Sequence, residues 1–244
     1  MIWKLNEYRR LVALTAIGGY AQPGDIGGYI PEGTVLPYAD ELLWVAYDAC
    51  IGDGVQLAAE VVVEAHARIM DNVRLARCVR VGHDTIIGAS TVIGHFTYIK
   101  NNCEVGKNCI IADDCIINSG SIIGNDCHLG YSTELGRCVW LGSNVKTASY
   151  VRLSPLAEIL PDVELNVRNF VQWTGFGLHN RTIVMYIWQG QVVVSIGCQV
   201  GVPFDYFAER VANATGTTAD SAAIYQAAMP MFKAAKEYLE CSTR

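Results

Sequence analysis

From Val45 to Leu141 every sixth residue is aliphatic without exception, beginning Val45, Ile51, Leu57, Val63, Ile69 and ending Leu129, Leu135, Leu141. A helix cannot keep such a series on one face, because its period of 3.6 drifts out of phase with a period of six. The next residue is usually small and often glycine, as at Gly52, Gly82, Gly88, Gly94, Gly106, Gly124, Gly130, Gly136 and Gly142. Two residues before the aliphatic position stands another small or β-branched residue, among them Val55, Val73, Thr85, Thr91, Thr97, Ser121, Thr133 and Val145. A six-residue period of this kind is the signature of a parallel β-helix. Three hexads make one triangular coil with a short strand on each side. The aliphatic residue fills the axis, the small residue lets the chain turn the corner, and coils stack by parallel hydrogen bonding. At about 4.8 Å per coil the predicted prism is a little under 30 Å tall.

The same phase places other residues. Cys103, Cys109, Cys115 and Cys127 fall at the small inward position that valine and threonine occupy elsewhere, where a thiol behaves as a small hydrophobe. Cys109 and Cys127 lie one coil apart, so a disulfide is geometrically conceivable, but a stack of free thiols is the preferred reading. No CxxC pair occurs, so a zinc ribbon is not indicated. Asn72, Ser90, Asn108, Asp126 and Asn144 recur once per coil on one corner. Such side chains tolerate left-handed backbone and hydrogen-bond the turn.

The ends of a solenoid need covers, because an open coil exposes unpaired strand edges. Residues 1–40 are read as an N-terminal cap, 41–151 as the β-helix and 152–244 as a small α+β module. The period is expected to fail after Tyr150, with Leu153-Ser154-Pro155 at the boundary. Strand-like stretches follow at Asn169 to Gly175, Thr182 to Trp188 and Val192 to Gly197, the last two joined by a tight Gln189-Gly190 hairpin. Pro203-Phe204-Asp205 opens a short helix to about Asn213. A longer one starts at Asp220, a candidate N-cap, and runs through Ile224, Met231, Phe232, Ala235 and Leu239, with Pro230 expected to kink or interrupt it.

Composition narrows the function. With 24 acidic against 18 basic residues the formal net charge is −6, which gives no footprint for nucleic acid. No stretch approaches the roughly 18 apolar residues that cross a bilayer. Arg9-Arg10, the apolar Leu11 to Ile17 and Gly19-Tyr20-Ala21 imitate a secretory leader, but the apolar run is short and Glu7 precedes the arginines. With its cysteines read as buried thiols, the chain is taken as cytoplasmic.

Tyr8-Arg9-Arg10-Leu11-Val12-Ala13-Leu14 and Gly24-Asp25-Ile26-Gly27-Gly28-Tyr29-Ile30 resemble the entry of phage and prophage β-helix proteins, including the bacterial YdcK type. Arg181-Thr182-Ile183, Val192 through Cys198 and Phe204-Asp205-Tyr206-Phe207 are similar to the C-terminal module attached to such proteins. The hexad itself resembles that of left-handed coils, an exception to right-handed crossovers. The resemblance implies a left-handed parallel β-helix of hexapeptide repeats followed by a small α+β C-terminal module, mainly β, and a phage or prophage origin. It carries over no catalytic residue.

Chemistry is read from ladders. Arg77, His95, Asp113 and Tyr131 share one hexad position in successive coils, placing His95 between a cation and a carboxylate. A His–Asp pair is what general-base chemistry uses, so His95 and Asp113 are the weak catalytic candidates. The parallel ladder Ala65, His83, Asn101, Ser119 and Arg137 is weaker. Val81-Gly82-His83 resembles part of the zinc motif of γ-class carbonic anhydrases, but Gly88 and Lys100 stand where further histidine ligands belong. Neither a metal nor a cofactor is expected. Outward strand positions of the middle coils are apolar at Ile86, Val92, Tyr98, Ile110, Ile116 and Ile122, with Trp140, which marks an interface. The resembling families typically trimerise, so a homotrimer through these faces is expected, with the C-terminal module over part of the remaining face. Arg74, Arg77, His95, Lys107, Tyr131 and Lys146 would line the clefts between subunits. Because the hexads run without an inserted loop, the expectation is a non-enzymatic binding protein that sequesters a small anionic host molecule, such as a nucleotide immune signal. The alternatives are an acyltransferase using an acyl-CoA donor and a structural virion or host-protein-binding component.

Overall fold

A computed structural model describes residues 1–176, 180–213 and 219–242, the side chains of residues 219–221 excepted. The repeat folds as a left-handed parallel β-helix of about seven coils. Its first face stacks Leu43–Val45, Val61–Val63, Arg80–Val81, Tyr98–Ile99, Ile116–Ile117, Glu134–Leu135 and Arg152–Leu153. The second runs from Cys50–Ile51 to Glu158–Ile159, and the third from Gln56–Leu57 to Glu164–Leu165. Neighbouring strands pair in parallel one coil apart, Val81 with Ile99 and Ile111 with Leu129, for example. The sixth-residue aliphatics are buried along the axis, and they form one continuous core from Val45 to Leu165.

Beside them the inward slots close the corners. Thr91 Oγ1 donates to the Gly106 carbonyl at 2.9 Å and Thr97 Oγ1 to the Ala112 carbonyl at 2.9 Å. Cysteine does the same work where it replaces threonine, Cys109 Sγ reaching the Gly124 carbonyl at 3.1 Å and Cys115 Sγ the Gly130 carbonyl at 3.3 Å. Cys103, Cys109, Cys115 and Cys127 are all buried free thiols. Burial pushes the Cys103 thiol up, and the Cys115 thiol to about 11.

The coils do not stop at Tyr150. Arg152–Leu153, Glu158–Ile159 and Glu164–Leu165 complete another turn on the three faces, so the boundary expected at 151/152 is corrected to follow Leu165. Two features hid this. Thr147 occupies an aliphatic position, where its hydroxyl meets Thr133 Oγ1 at 2.9 Å inside the core. Pro155, read as a stop, precedes Leu156, whose φ is 63°. Proline presets the first position of a turn whose second residue has positive φ, so it suits this corner.

Both ends are covered. Trp3–Leu5, Arg10–Ala13 and Ile26–Tyr29 form an antiparallel sheet whose Trp3 and Leu11, together with Ile30, join the solenoid core. Gly27 and Gly28 let this sheet approach closely: a Cβ at Gly27 would sit 2.5 Å from the Val45 carbonyl oxygen, and one at Gly28 2.7 Å from Val45 Cγ1. Ala13, Ile17 and Ala21 pack with Trp44 over the start of the first face.

At the other end Phe170–Phe176, Arg181–Trp188, Gln191–Ile196 and Gln199–Pro203 form an antiparallel sheet in that order. The fourth strand was not foreseen. The Gln189-Gly190 turn is present with positive φ at both residues, as a two-residue hairpin requires. The sheet is buried on both sides. Val184, Tyr186 and Val193 join the solenoid core, while Ile183, Met185, Val192 and Val194 pack against helices α1 (Phe204–Ala212) and α2 (Ala219–Cys241). Tyr186 Oη accepts from the Leu160 amide at 2.9 Å and Trp188 Nε1 donates to the Pro161 carbonyl at 3.0 Å. The module therefore closes the last coil instead of covering a side face. Helix α2 runs unbroken through Pro230, because Tyr225 before it and Phe232, Ala235 and Leu239 after it are packed on one surface. The N-cap role read for Asp220 concerns a side chain outside the described residues. Among the described residues no helix is long and apolar enough to cross a membrane.

Candidate functional site

Each coil offers two kinds of exposed position, the outward residue of a strand and the residues of the corner. One corner residue caps the preceding coil. Asp113 Oδ1 accepts from the His95 amide at 2.7 Å, Asn125 Oδ1 from the Lys107 amide at 3.0 Å and Asp71 Oδ1 from the Asp53 amide at 3.0 Å. The next residue has positive φ. This holds for the Asn72, Ser90, Asn108, Asp126 and Asn144 ladder and equally for Cys78, Phe96, Tyr150 and Leu156.

Arg77, His95, Asp113 and Tyr131 stand on one corner, between the third face and the first, as their spacing requires. Their contacts are local. Asp113 takes the main-chain amide of His95, and the His95 ring lies 6.5 Å from that of Phe96. Arg77 turns to the preceding coil, its Nε donating to Glu60 Oε1 at 3.0 Å and its Nη2 to the same oxygen. With the Cys78 thiol donating to Glu60 Oε2 at 3.1 Å, this holds the Glu60 carboxyl below its usual range. Tyr131 packs edge-on against Tyr150 at 5.5 Å, and a hydrogen bond to Asp114 raises its phenol pKa. Arg74 and Lys146 project from the third face four coils apart, Lys146 Nζ pairing with Glu164 at 3.1 Å. Lys107 stands on a different corner. The six residues expected to share a cleft are thus divided between two corners and a face of one chain.

The arrangement that sequence reasoning passed over is His83 with Glu64. Its Nε2 lies 3.0 Å from Glu64 Oε2, with the imidazole side chain half exposed and the carboxylate mostly covered. Both belong to the corner that leaves the first face. A second pair, His66 Nδ1 with Asp48 Oδ2 at 3.2 Å, is more open. On the face beside His83, Arg80 lies over the Tyr20 ring at 5.7 Å and the Tyr98 ring at 5.5 Å. A cavity of about 350 Å³ opens there between the N-terminal segment and the coil. A carboxylate that holds one ring nitrogen orients the imidazole and leaves the other nitrogen to take a proton.

A family model described as bacterial transferase hexapeptide (six repeats) matches residues 84–119. That match corrects the expectation of a non-enzymatic sequestering protein, since the middle coils carry the repeat pattern of transferases. The reason first given for excluding catalysis was that no loop is extruded from the hexads. The structure removes it, because His83 reaches solvent from an ordinary corner already paired with its carboxylate.

Solved structures to which the chain is similar include a mutant of perosamine N-acetyltransferase from Caulobacter crescentus with CoA and GDP-perosamine, 16% identical over 57% of this chain and 53% of that one, TM-score 0.38. The acetyltransferase domain of PglB from Neisseria gonorrhoeae is 14% identical over 57% and 53%, TM-score 0.36. LpxA from Acinetobacter baumannii is 18% identical over 59% and 67%, TM-score 0.36. The chain spans about half the length of the first two. No curated protein matches it.

The apolar outward residues are distributed over all three faces, Tyr98 and Ile116 on the first, Ile86, Ile122 and Trp140 on the second, Val92 and Ile110 on the third. The first face is bracketed. Val62 is covered near its start, and at its far end Gln172 Nε2 donates to the Arg152 carbonyl at 2.9 Å.

Proposed function

We propose that this protein is a hexapeptide-repeat acyltransferase that moves an acyl group from an acyl-CoA donor to a small amine or alcohol, with His83 as general base and Glu64 orienting it. The observation that carries the reading is the His83–Glu64 pair, its imidazole half exposed on a corner one residue before the matched transferase repeats. In the reaction the imidazole takes the acceptor's proton as its nitrogen or oxygen attacks the thioester carbonyl carbon. The tetrahedral intermediate then collapses, breaking the carbon–sulfur bond, and the imidazolium returns the proton to the CoA thiolate. The products are an amide or ester and free CoA.

A homotrimer would add clefts between subunits in which a donor and an acceptor could meet. The second and third faces, less encumbered by the two caps, carry Ile86, Ile122, Trp140, Val92 and Ile110 at 36–47% exposure, and a homotrimer would pack these together. Free thiols, four of them in the core, favour a reducing cytoplasm. The phage or prophage setting rests on the resemblance of the terminal segments.

The test is release of free CoA from acetyl-CoA with a panel of amines and amino sugars. Turnover is expected to fall about 10²- to 10⁴-fold in His83→Gln, less in Glu64→Gln, and little in His95→Ala. Full activity in His83→Gln would remove the assignment, and failure of the wild type to bind CoA would remove acyl transfer altogether.

A further inference from the structure

Helix α2 is apolar over more of its surface than its own module covers. Tyr225, Phe232, Ala235 and Leu239 pack inward. Gln226 and Lys236 mark the side that meets α1, the first donating to the Val211 carbonyl at 3.1 Å and the second pairing with Asp205 at 3.5 Å. The remaining face carries Ile224, Ala227, Met231, Ala234, Tyr238 and Cys241, all exposed and none charged. Ile224 and Met231 are each 37% exposed and Tyr238 50%. A helix that is apolar all round belongs in an interior, and among the described residues this face has no cover.

The six residues stand alternately three and four apart, the spacing of a coiled-coil seam. Their sizes alternate too, each large side chain being followed by a small one. Read from opposite ends, the stripe sets Ile224 against Cys241, Ala227 against Tyr238 and Met231 against Ala234. Every layer of an antiparallel pair then holds one large and one small side chain, at a single helix separation. A parallel pair would set large on large and small on small, with crowding and voids in turn. A two-fold contact needs one surface that complements itself, and this stripe does. A seam about 26 Å long and about 10 Å wide covers roughly a few hundred Å² per copy. That is short of the roughly 800 Å² per partner of a standard interface, so the expected association is weak, with half-pairing near about 100 µM chain.

We propose that α2 docks against the α2 of a second copy of this chain, the two helices antiparallel about a two-fold axis level with the midpoint between Met231 and Ala234. The contact uses neither the solenoid faces nor the His83 corner, and it does not depend on acyl transfer.

Thiol cross-linking of the full chain reads both the pairing and its direction. Replacing Cys50, Cys138 and Cys198 by serine leaves Cys241 as the exposed thiol. In the antiparallel pair the two copies of Cys241 lie about 26 Å apart, beyond the reach of a disulfide. Adding Ile224→Cys puts a thiol opposite the Cys241 of the second copy, while the two thiols of one chain are too far apart to join. Diamide, which takes two electrons and two protons from a thiol pair, should then give covalent dimer at least about tenfold faster than in the background at about 100 µM chain. Ala234→Glu, at an exposed position that folding tolerates, places a carboxylate in the seam and should remove that gain. Rapid dimer through Cys241 alone would mean a parallel pair, equally slow dimer in both would mean none, and a gain that survives Ala234→Glu would mean chance collision. Capture by phosphatidylcholine vesicles without the cross-link would give the stripe to a lipid surface. Each of these results overturns the proposal.

Discussion

Ile110 and Ile111 are neighbours in one two-residue strand and point to opposite sides of it, Ile110 being 47% exposed and Ile111 1% exposed. Truncating each to alanine removes the same three carbons, so any difference belongs to the surroundings. At Ile111 the loss is about 0.8 kcal/mol for each carbon, plus a cavity term, because the coils above and below are stacked backbone that cannot collapse inward. This gives about 3–4 kcal/mol. At Ile110 roughly half the transfer term applies and no cavity forms, giving about 1 kcal/mol. With an unfolding entropy of about 0.5 kcal/mol/K for a chain this long, the melting temperature should fall by about 6–8 °C in Ile111→Ala and by about 2 °C in Ile110→Ala. Urea and thermal unfolding followed by far-ultraviolet circular dichroism, repeated at two protein concentrations, reads both. Equal losses, or the larger loss at Ile110, would refute the inward phase of the hexad.

Other outcomes follow from the same packing. A Cβ at Gly88 would lie 2.5 Å from the Gly106 carbonyl carbon and 2.6 Å from Lys107 N, all backbone of the next coil. Gly88→Ala should therefore cost about 3 kcal/mol or more, whereas Gly190→Ala has open space and should register only the strain of its positive φ; denaturant midpoints compare them. In a thiol titration of native protein Cys50, Cys138, Cys198 and Cys241 should react quickly and Cys78 slowly, while Cys103, Cys109, Cys115 and Cys127 react only in denaturant; fast reaction of the core set would contradict their placement. Cys115 keeps its proton to about 11 when folded against an ordinary value of 9.0. Its contribution is thus complete below pH 9.0 and is lost as pH rises toward 11, so unfolding midpoints should drop in that window, and by less in Cys115→Val. Thr97→Val leaves the Ala112 carbonyl without its hydroxyl donor and should cost about 1–3 kcal/mol, which Thr97→Ser largely restores.

The coil was legible because a period of six is a direct imprint of three-sided geometry, and the sequence from Val45 to Leu141 carries it without a gap. Its continuation was not, since Thr147 is polar and Pro155 reads as punctuation until its corner is seen. The positive-φ corners were legible only where Asn, Asp and Ser mark them; Phe96, Tyr150 and Leu156 adopt the same backbone because the coils on either side fix it. The candidate site was missed for a geometric reason. Ladders were sought at a spacing of eighteen, which aligns identical hexad positions, and His95 with Asp113 satisfied it through a main-chain amide instead of the imidazole. His83 and Glu64 are nineteen apart, and Arg77 and Glu60 seventeen, because a side chain leans along the coil to reach a neighbour one step out of register. A search one step to either side of the coil length would have found both pairs. The four-stranded sheet sealing the last coil left no comparable period, because its two faces meet two different partners.

Chemical rescue tests the assignment of acyl transfer to His83 most directly. His83→Ala should lose CoA release, and added imidazole should restore part of it in proportion to its concentration, with no such gain in the wild type or in His95→Ala. If His83→Ala turns over acetyl-CoA as fast as the wild type, or if imidazole accelerates all three proteins alike, the histidine is not the base and the account of this corner is wrong.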